Sequence, residues 1–92
     1  DCVIDFSAPA GTLSVLKVCV DRKLPLVIAT TGLEKEHLAE IDHAAHHTAV
    51  LLSPSMSLVV NLLFKLTKLA GEALAGKGFD VEIVERHHKM KK

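Results

Sequence analysis

Aromatic side chains are scarce in this chain of 92 residues: three Phe, no Trp and no Tyr. A chain so poor in stacking rings does not fit a single-stranded nucleic-acid platform. Charge of one sign is missing too. Eleven Lys and Arg balance eleven Asp and Glu, so no global field attracts nucleic acid or an anionic membrane. Cysteine is limited to Cys2 and Cys19, which sit in apolar strand and helix patterns and lack metal-ligand spacing. Both read as buried free thiols of a reducing compartment. No apolar run approaches the roughly eighteen residues a membrane span needs. The longest, residues 58–66, is broken by Asn61 and Lys65. The chain opens at Asp1 without an initiator Met, so any targeting segment is expected upstream.

What is present is an apolar fraction of 49%, ample for the core of one small domain. Residues 2–6 read as a buried strand, followed by Ser7-Ala8-Pro9 and a helix over 10–22 with Leu13, Leu16 and Val20 as its apolar stripe. Pro25 opens a second strand over 26–29. Thr30-Thr31-Gly32 then leads into a helix over 34–46, with Leu38, Ile41 and Ala45 inside and Glu34, Glu36, Glu40 and Asp42 outside. A third strand, 49–52, ends in Ser53-Pro54-Ser55. Continuous apolar strands alternating with helices through short links predict an α/β fold, its parallel sheet covered on both faces.

The pattern changes after Pro54. A long helix over 57–75 should bury Leu58, Leu62, Leu66, Leu69 and Ala73, with Asn61, Lys65, Lys68 and Glu72 as a polar stripe. Gly76-Lys77-Gly78 supplies the glycine chemistry that ends helices. Residues 79–84 then alternate, with Phe79, Val81 and Ile83 opposite Asp80 and Glu82, and predict a half-exposed strand. The change of pattern sets a boundary at residues 1–56 and 57–92.

Parallel α/β sheets take ligands beyond the carboxyl ends of their strands. All three ends here carry small polar residues: Asp5-Phe6-Ser7, Thr30-Thr31-Gly32 and Ser53-Pro54-Ser55. Such residues let a flat ring or a phosphate approach the backbone, although ordinary turns favour the same types. The second concentration of chemistry is Glu85-Arg86-His87-His88-Lys89-Met90-Lys91-Lys92. It combines two imidazoles able to exchange protons near neutrality with ammonium groups that bind anions. A solvated basic tail is the plainer reading of the same composition. Ending at so loaded a point, the chain reads as a fragment of an enzyme. His43 and His47 lie four apart on a helix, but no Cys or carboxylate is placed to complete a metal site, and none is expected. Asp42 and His46 read as a surface pair.

Taken in order, Val3-Ile4-Asp5-Phe6-Ser7, Thr30-Thr31-Gly32, Ser53-Pro54-Ser55-Met56-Ser57 with Asn61, and the double-histidine segment resemble the 4-hydroxy-tetrahydrodipicolinate (dihydrodipicolinate) reductase family of the diaminopimelate route to lysine. The resemblance implies that residues 1–56 are part of a Rossmann nucleotide-binding domain. Residues 57–92 would begin an α+β substrate and tetramerisation domain. It implies NADH or NADPH as cofactor, bound by Ala29, Thr30, Thr31, Ser53, Pro54, Ser55 and Met56. A small cyclic dicarboxylate would be the substrate, contacted by Thr31, His88 and Lys91. His87 would be the catalytic acid/base and Lys91 the proton donor. A homotetramer is implied, in the bacterial cytoplasm or a plastid, with neither nucleic acid nor membrane as partner.

Four positions depart from the family pattern. Ala29 replaces a usual Gly, Ser55 a common Asn, Val59 a Gly, and Arg86 a small residue. The family's glycine-rich phosphate loop is expected before Asp1, and its Asp-Ala-Pro-Ser-Gly-Thr segment after Lys92. The competing classes are another nicotinamide-dependent oxidoreductase, and a non-catalytic α/β domain with an anion-binding tail. The His-His-Lys segment speaks against the first, the balanced charge and scarce aromatics against the second.

Overall fold

The computed structural model describes residues 1–90, and the chain divides into two compact units, Asp1–Leu58 and Val59–Lys92. In the first, β1 (Val3–Asp5), β2 (Leu26–Ile28) and β3 (Val50–Leu52) form a parallel sheet in the order β1-β2-β3. The register aligns Val3 with Leu26 and Val50, Ile4 with Val27 and Leu51, and Asp5 with Ile28 and Leu52. Helix α1 (Pro9–Arg22) links the first two strands and α2 (Lys35–Ala45) the last two.

Local chemistry sets the helix ends. Pro9 occupies the first turn of α1, where its missing N–H costs nothing. The far end closes on Lys23, in the left-handed region at φ 55°. There the Lys23 N–H reaches the Val20 carbonyl at 3.3 Å and the Leu24 N–H reaches that of Cys19 at 2.9 Å. This is the pairing that satisfies the last carbonyls of a helix. Helix α2 starts with a reciprocal cap. The Glu34 carboxylate accepts from the His37 backbone, while the Glu34 N–H donates to His37 Nδ1 at 3.0 Å.

The core joins Leu16 and Cys19 of α1, Ile41 and Ala44 of α2, and Leu26 and Ile28 of β2. Leu13, Val20, Val3 and Val50 pack at its margin. The expected cover on both faces is corrected here: the helices lie on one face of this unit. Crossovers of one hand that step each time to the next strand put every helix on the same side. The opposite face carries Ile4, Val27 and Leu51, and Ile4 and Leu51 are largely exposed. The inner stripe of α2 also differs. Ile41 and Ala44 are buried, whereas Leu38 and Ala45 line a shallow open cleft with Val50 and Leu52 at the β3 edge. Cys2 is exposed rather than buried. Cys19 is fully buried, and burial, reinforced by the Cys2 thiol, pushes its own thiol up.

The second unit holds α3 (Leu58–Leu74), whose Lys68 and Glu72 pair at 3.8 Å across one turn. Gly76, at φ 70°, supplies the left-handed step after the helix. No residue of α3 is buried, so the expected inner side of Leu58, Leu62, Leu66, Leu69 and Ala73 stands exposed. Residues 79–84 form no strand, contrary to their alternation. A strand's hydrogen bonds lie with a neighbour, and among the described residues none pairs with this segment. Alternation records a preferred face and does not provide the partner.

Candidate functional site

The carboxyl ends of β1, β2 and β3 converge because the strands are parallel and in register. The ladder runs one step beyond the strands: Ala29 N–H donates to the Asp5 carbonyl at 2.8 Å, and Ser53 N–H to that of Ile28 at 2.9 Å. The loops at 5–8, 29–32 and 53–57 are thereby held side by side at one end of the sheet. Ala29 and Thr30 are buried, Thr31 and Gly32 exposed, Ser53 and Ser55 half-buried, and Pro54 and Met56 exposed. Ser53 Oγ donates to the Ser55 carbonyl at 2.7 Å, curling the third loop onto itself. Gly32, at φ 77°, makes the turn that sends the second loop toward α2.

Beneath this edge lies a polar cluster centred on Asp5, whose relative exposure is only 5%. Asp5 Oδ1 accepts the Ser7 N–H at 2.9 Å. Oδ2 lies 2.5 Å from Thr12 Oγ1 and 3.2 Å from Thr30 Oγ1, and the two hydroxyl oxygens are 2.9 Å apart. Each hydroxyl has one proton. Thr12 spends its own on the shorter contact to the carboxylate, leaving Thr30 to donate to the carboxylate or to Thr12. Burial pushes the Asp5 carboxyl up, but hydrogen bonds from Ser7, Thr12 and Thr30 outweigh it and hold the group below its ordinary value of 3.8. The sequence reading missed this cluster. Thr12 shares a helix stripe with Leu16 and Cys19 at spacings of four and three, and a hydroxyl on a core stripe is the signal that could have exposed it.

Gly11 stands one turn from Ser7 in the same corner. A Cβ built there would meet Ser7 Oγ at 2.6 Å and Ser7 Cβ at 3.2 Å, so a larger residue at this position would turn the Ser7 hydroxyl aside and shift the loop slightly.

In the second unit, His87 and His88 are exposed in the irregular segment that follows α3. His87 Nε2 lies 2.9 Å from Glu85 Oε2, and His88 Nδ1 accepts the Met90 N–H at 3.2 Å. Lys91, expected beside them as a proton donor, lies outside the described residues. His43 and His47 face each other with ring centroids 5.1 Å apart. Among the described residues no cluster of three metal-ligating side chains occurs. No described helix is long and apolar enough to cross a membrane.

Residues 1–56 match the family described as dihydrodipicolinate reductase, N-terminus. The chain belongs to the dihydrodipicolinate reductase family. The reductase family's N-terminal unit has the Rossmann-like α/β architecture seen in the first unit, and is a nucleotide-binding domain. Three proteins named 4-hydroxy-tetrahydrodipicolinate reductase illustrate the likeness. That of Nitrosomonas europaea is 47% identical over 99% of this chain, which corresponds to 34% of the relative. That of Alkaliphilus oremlandii is 45% identical over the whole chain, 38% of the relative. That of Caldanaerobacter subterraneus subsp. tengcongensis is 46% identical over the whole chain, 36% of the relative. The chain thus spans about a third of the length of these reductases. At these strand ends Thr31, Ser53 and Ser55 present small, uncharged side chains, which leave room at the carboxyl edge of the sheet, where parallel α/β folds take their ligands.

Proposed function

We propose that this chain works within a reductase that converts 4-hydroxy-tetrahydrodipicolinate to tetrahydrodipicolinate, with NADH or NADPH as the reductant. The observation that carries this reading is identity of 45–47% along 99–100% of the chain to proteins of that name. The nicotinamide, when bound, supplies the hydride. Thr31, Ser53 and Ser55, with the main chain of Ala29 and Thr30 and the side chains of Pro54 and Met56, form the edge against which its ring rests. Thr31 also reaches toward the substrate.

Residues 57–92 begin the substrate-binding and tetramerisation part. His87 acts as the acid/base, and the Glu85 carboxylate beside its Nε2 restrains the ring. His88 and Lys91 meet the carboxylates of a small dianion, and Lys91 returns a proton to the nitrogen that gains basicity as hydride arrives. The assembly is a homotetramer of the bacterial cytoplasm, or of a plastid if the source is a plant, and uses neither nucleic acid nor membrane.

The test is turnover by the full-length protein, followed as oxidation of NADH or NADPH in the presence of 4-hydroxy-tetrahydrodipicolinate. His87→Gln should lower kcat by about 10²–10⁴-fold, as for a lost acid/base group, with little change in the cofactor KM. Lys91→Ala should reduce kcat/KM far more than Lys89→Ala, because a directly paired charge is worth about 2–5 kcal/mol and a solvated neighbour under about 1. Equal, small, salt-sensitive losses at both lysines would reduce the segment to a diffuse basic patch.

A further inference from the structure

Asp5 is a costly residue to keep inside a fold. Its relative exposure is 5%, and its partners are all neutral: one N–H and two hydroxyls. A packed apolar side chain of similar size often supplies as much stability as a buried charge without a cation. What the carboxylate does, and an apolar group cannot, is hold directions. Through Oδ1 it fixes the 5–8 loop at Ser7, and through Oδ2 it binds Thr12, in the first turns of α1. Through Oδ2 again, and through its own carbonyl, it grips Thr30 and Ala29 at the start of the second loop. Thr30 is therefore tied at its side chain, with its hydroxyl turned inward and occupied, and Ala29 at its main chain. What this loop exposes to a ligand is Thr31 and Gly32, with Ala29 and Thr30 buried directly behind them.

We propose that Asp5, acting with Thr12 through the Thr30 hydroxyl, is a positioning residue that sets the 29–32 loop for the nicotinamide cofactor. The inference rests on the reductase reading above and deepens it. No side-chain atom of the triad touches the cofactor. The carboxylate orients Thr30, Thr30 orients the peptide that leads into Thr31, and Thr31 and Gly32 meet the ring. Misplacing such a loop by about 1 Å is enough to cost a large factor in productive binding.

The experiment uses the full-length protein and four variants: Thr30→Val, Thr30→Ser, Asp5→Asn and the double variant Asp5→Asn/Thr30→Val. The dissociation constants of NADH and NADPH are measured by titration calorimetry, the KM of cofactor and of substrate by steady-state kinetics, and folding by circular dichroism. Thr30→Val keeps the side-chain shape and removes the hydroxyl. It should raise the cofactor dissociation constant and KM about 10-fold, the loss of the hydroxyl's link to Thr12 and the Asp5 carboxylate, while the substrate KM stays within about 2-fold. Thr30→Ser, which restores the hydroxyl, should return the cofactor constants to within about 3-fold of wild type. The double variant should bind no worse than the weaker single, because both remove the same link.

A folded Thr30→Val variant with wild-type cofactor affinity would overturn the proposal. So would equal losses in the Ser and Val variants, or losses that multiply in the double variant. If Asp5→Asn fails to fold, the Val and Ser pair still decides. A wild-type protein that binds neither dinucleotide would instead overturn the reductase reading, and this inference with it.

Discussion

The two units of the chain are both rich in aliphatic side chains, and only the first buries any among the described residues. In residues 1–58, short strands of Val, Ile and Leu find neighbours within the same stretch of sequence, and helices α1 and α2 close over them. In residues 59–90, the apolar side chains of α3 and of the 79–84 segment remain open: Leu69 is 62% exposed and Ile83 73%. The difference lies in partners and not in composition. A βαβαβ stretch carries its own pairing instructions, whereas a lone helix and an extended segment need surfaces that they do not themselves encode. Helix formation by α3 is helped by its length of 17 residues, but amphipathic helices take most of their stability from what they pack on.

The comparison can be broken most sharply by cutting apolar side chains on each side of it. Ile28→Ala, at a fully buried position of β2, should destabilise the first unit by about 2–5 kcal/mol, the usual cost of a large-to-small change in a core. Leu69→Ala in the 92-residue chain should change stability by less than about 0.5 kcal/mol. If α3 packs against further chain in the complete reductase, Leu69→Ala should cost markedly more there than in the 92-residue chain. Denaturant titrations of both variants in both lengths of chain would show it.

Next in size is the Asp5 cluster. Asp5→Ala leaves one of the two threonine hydroxyls and the Ser7 N–H without their acceptor and should cost about 2–4 kcal/mol at neutral pH. The sign with pH follows from the depressed carboxyl. Its contribution is fully present above the unfolded-chain value near 3.8 and is lost as pH falls through the lower folded value. Acid titration should therefore show wild type losing stability below about pH 4 more steeply than Asp5→Asn. Parallel acid profiles for the two would remove the carboxylate's role in the first unit.

The smallest expected effect is a gain. Lys23 holds the left-handed position after α1 without being glycine, at a cost of about 1 kcal/mol. Its Nζ contact to the His47 carbonyl, at 3.4 Å and exposed, offsets little of that. Lys23→Gly should raise stability by about 0.5–1 kcal/mol in thermal or denaturant unfolding. A loss would mean that the His47 contact matters more than its geometry suggests.

What could be read from the sequence divides along the same line as the burial. Pro9, Pro25 and the apolar runs put every strand and helix of the first unit within about two residues of where it lies, because those signals are local. The strand-end loops were legible for the same reason, and parallel register then brought them together. Thr12 and the burial of Asp5 were not legible, since a hydroxyl and a carboxylate become core groups only when the fold supplies each with the other. Nor could alternation at 79–84 reveal that, among the described residues, no strand lies alongside. One-sided cover of the sheet follows from strand order, which no single segment encodes.

The reductase reading places the nicotinamide cofactor at the strand-end loops of the first unit, and amide hydrogen exchange of the full-length protein, with and without NADH or NADPH, tests it most directly. The expected result is cofactor-dependent protection at residues 29–32 and 53–56, with the apolar face formed by Ile4, Val27 and Leu51 unchanged. Protection absent from both loops while the cofactor is bound elsewhere on the protein would contradict the account.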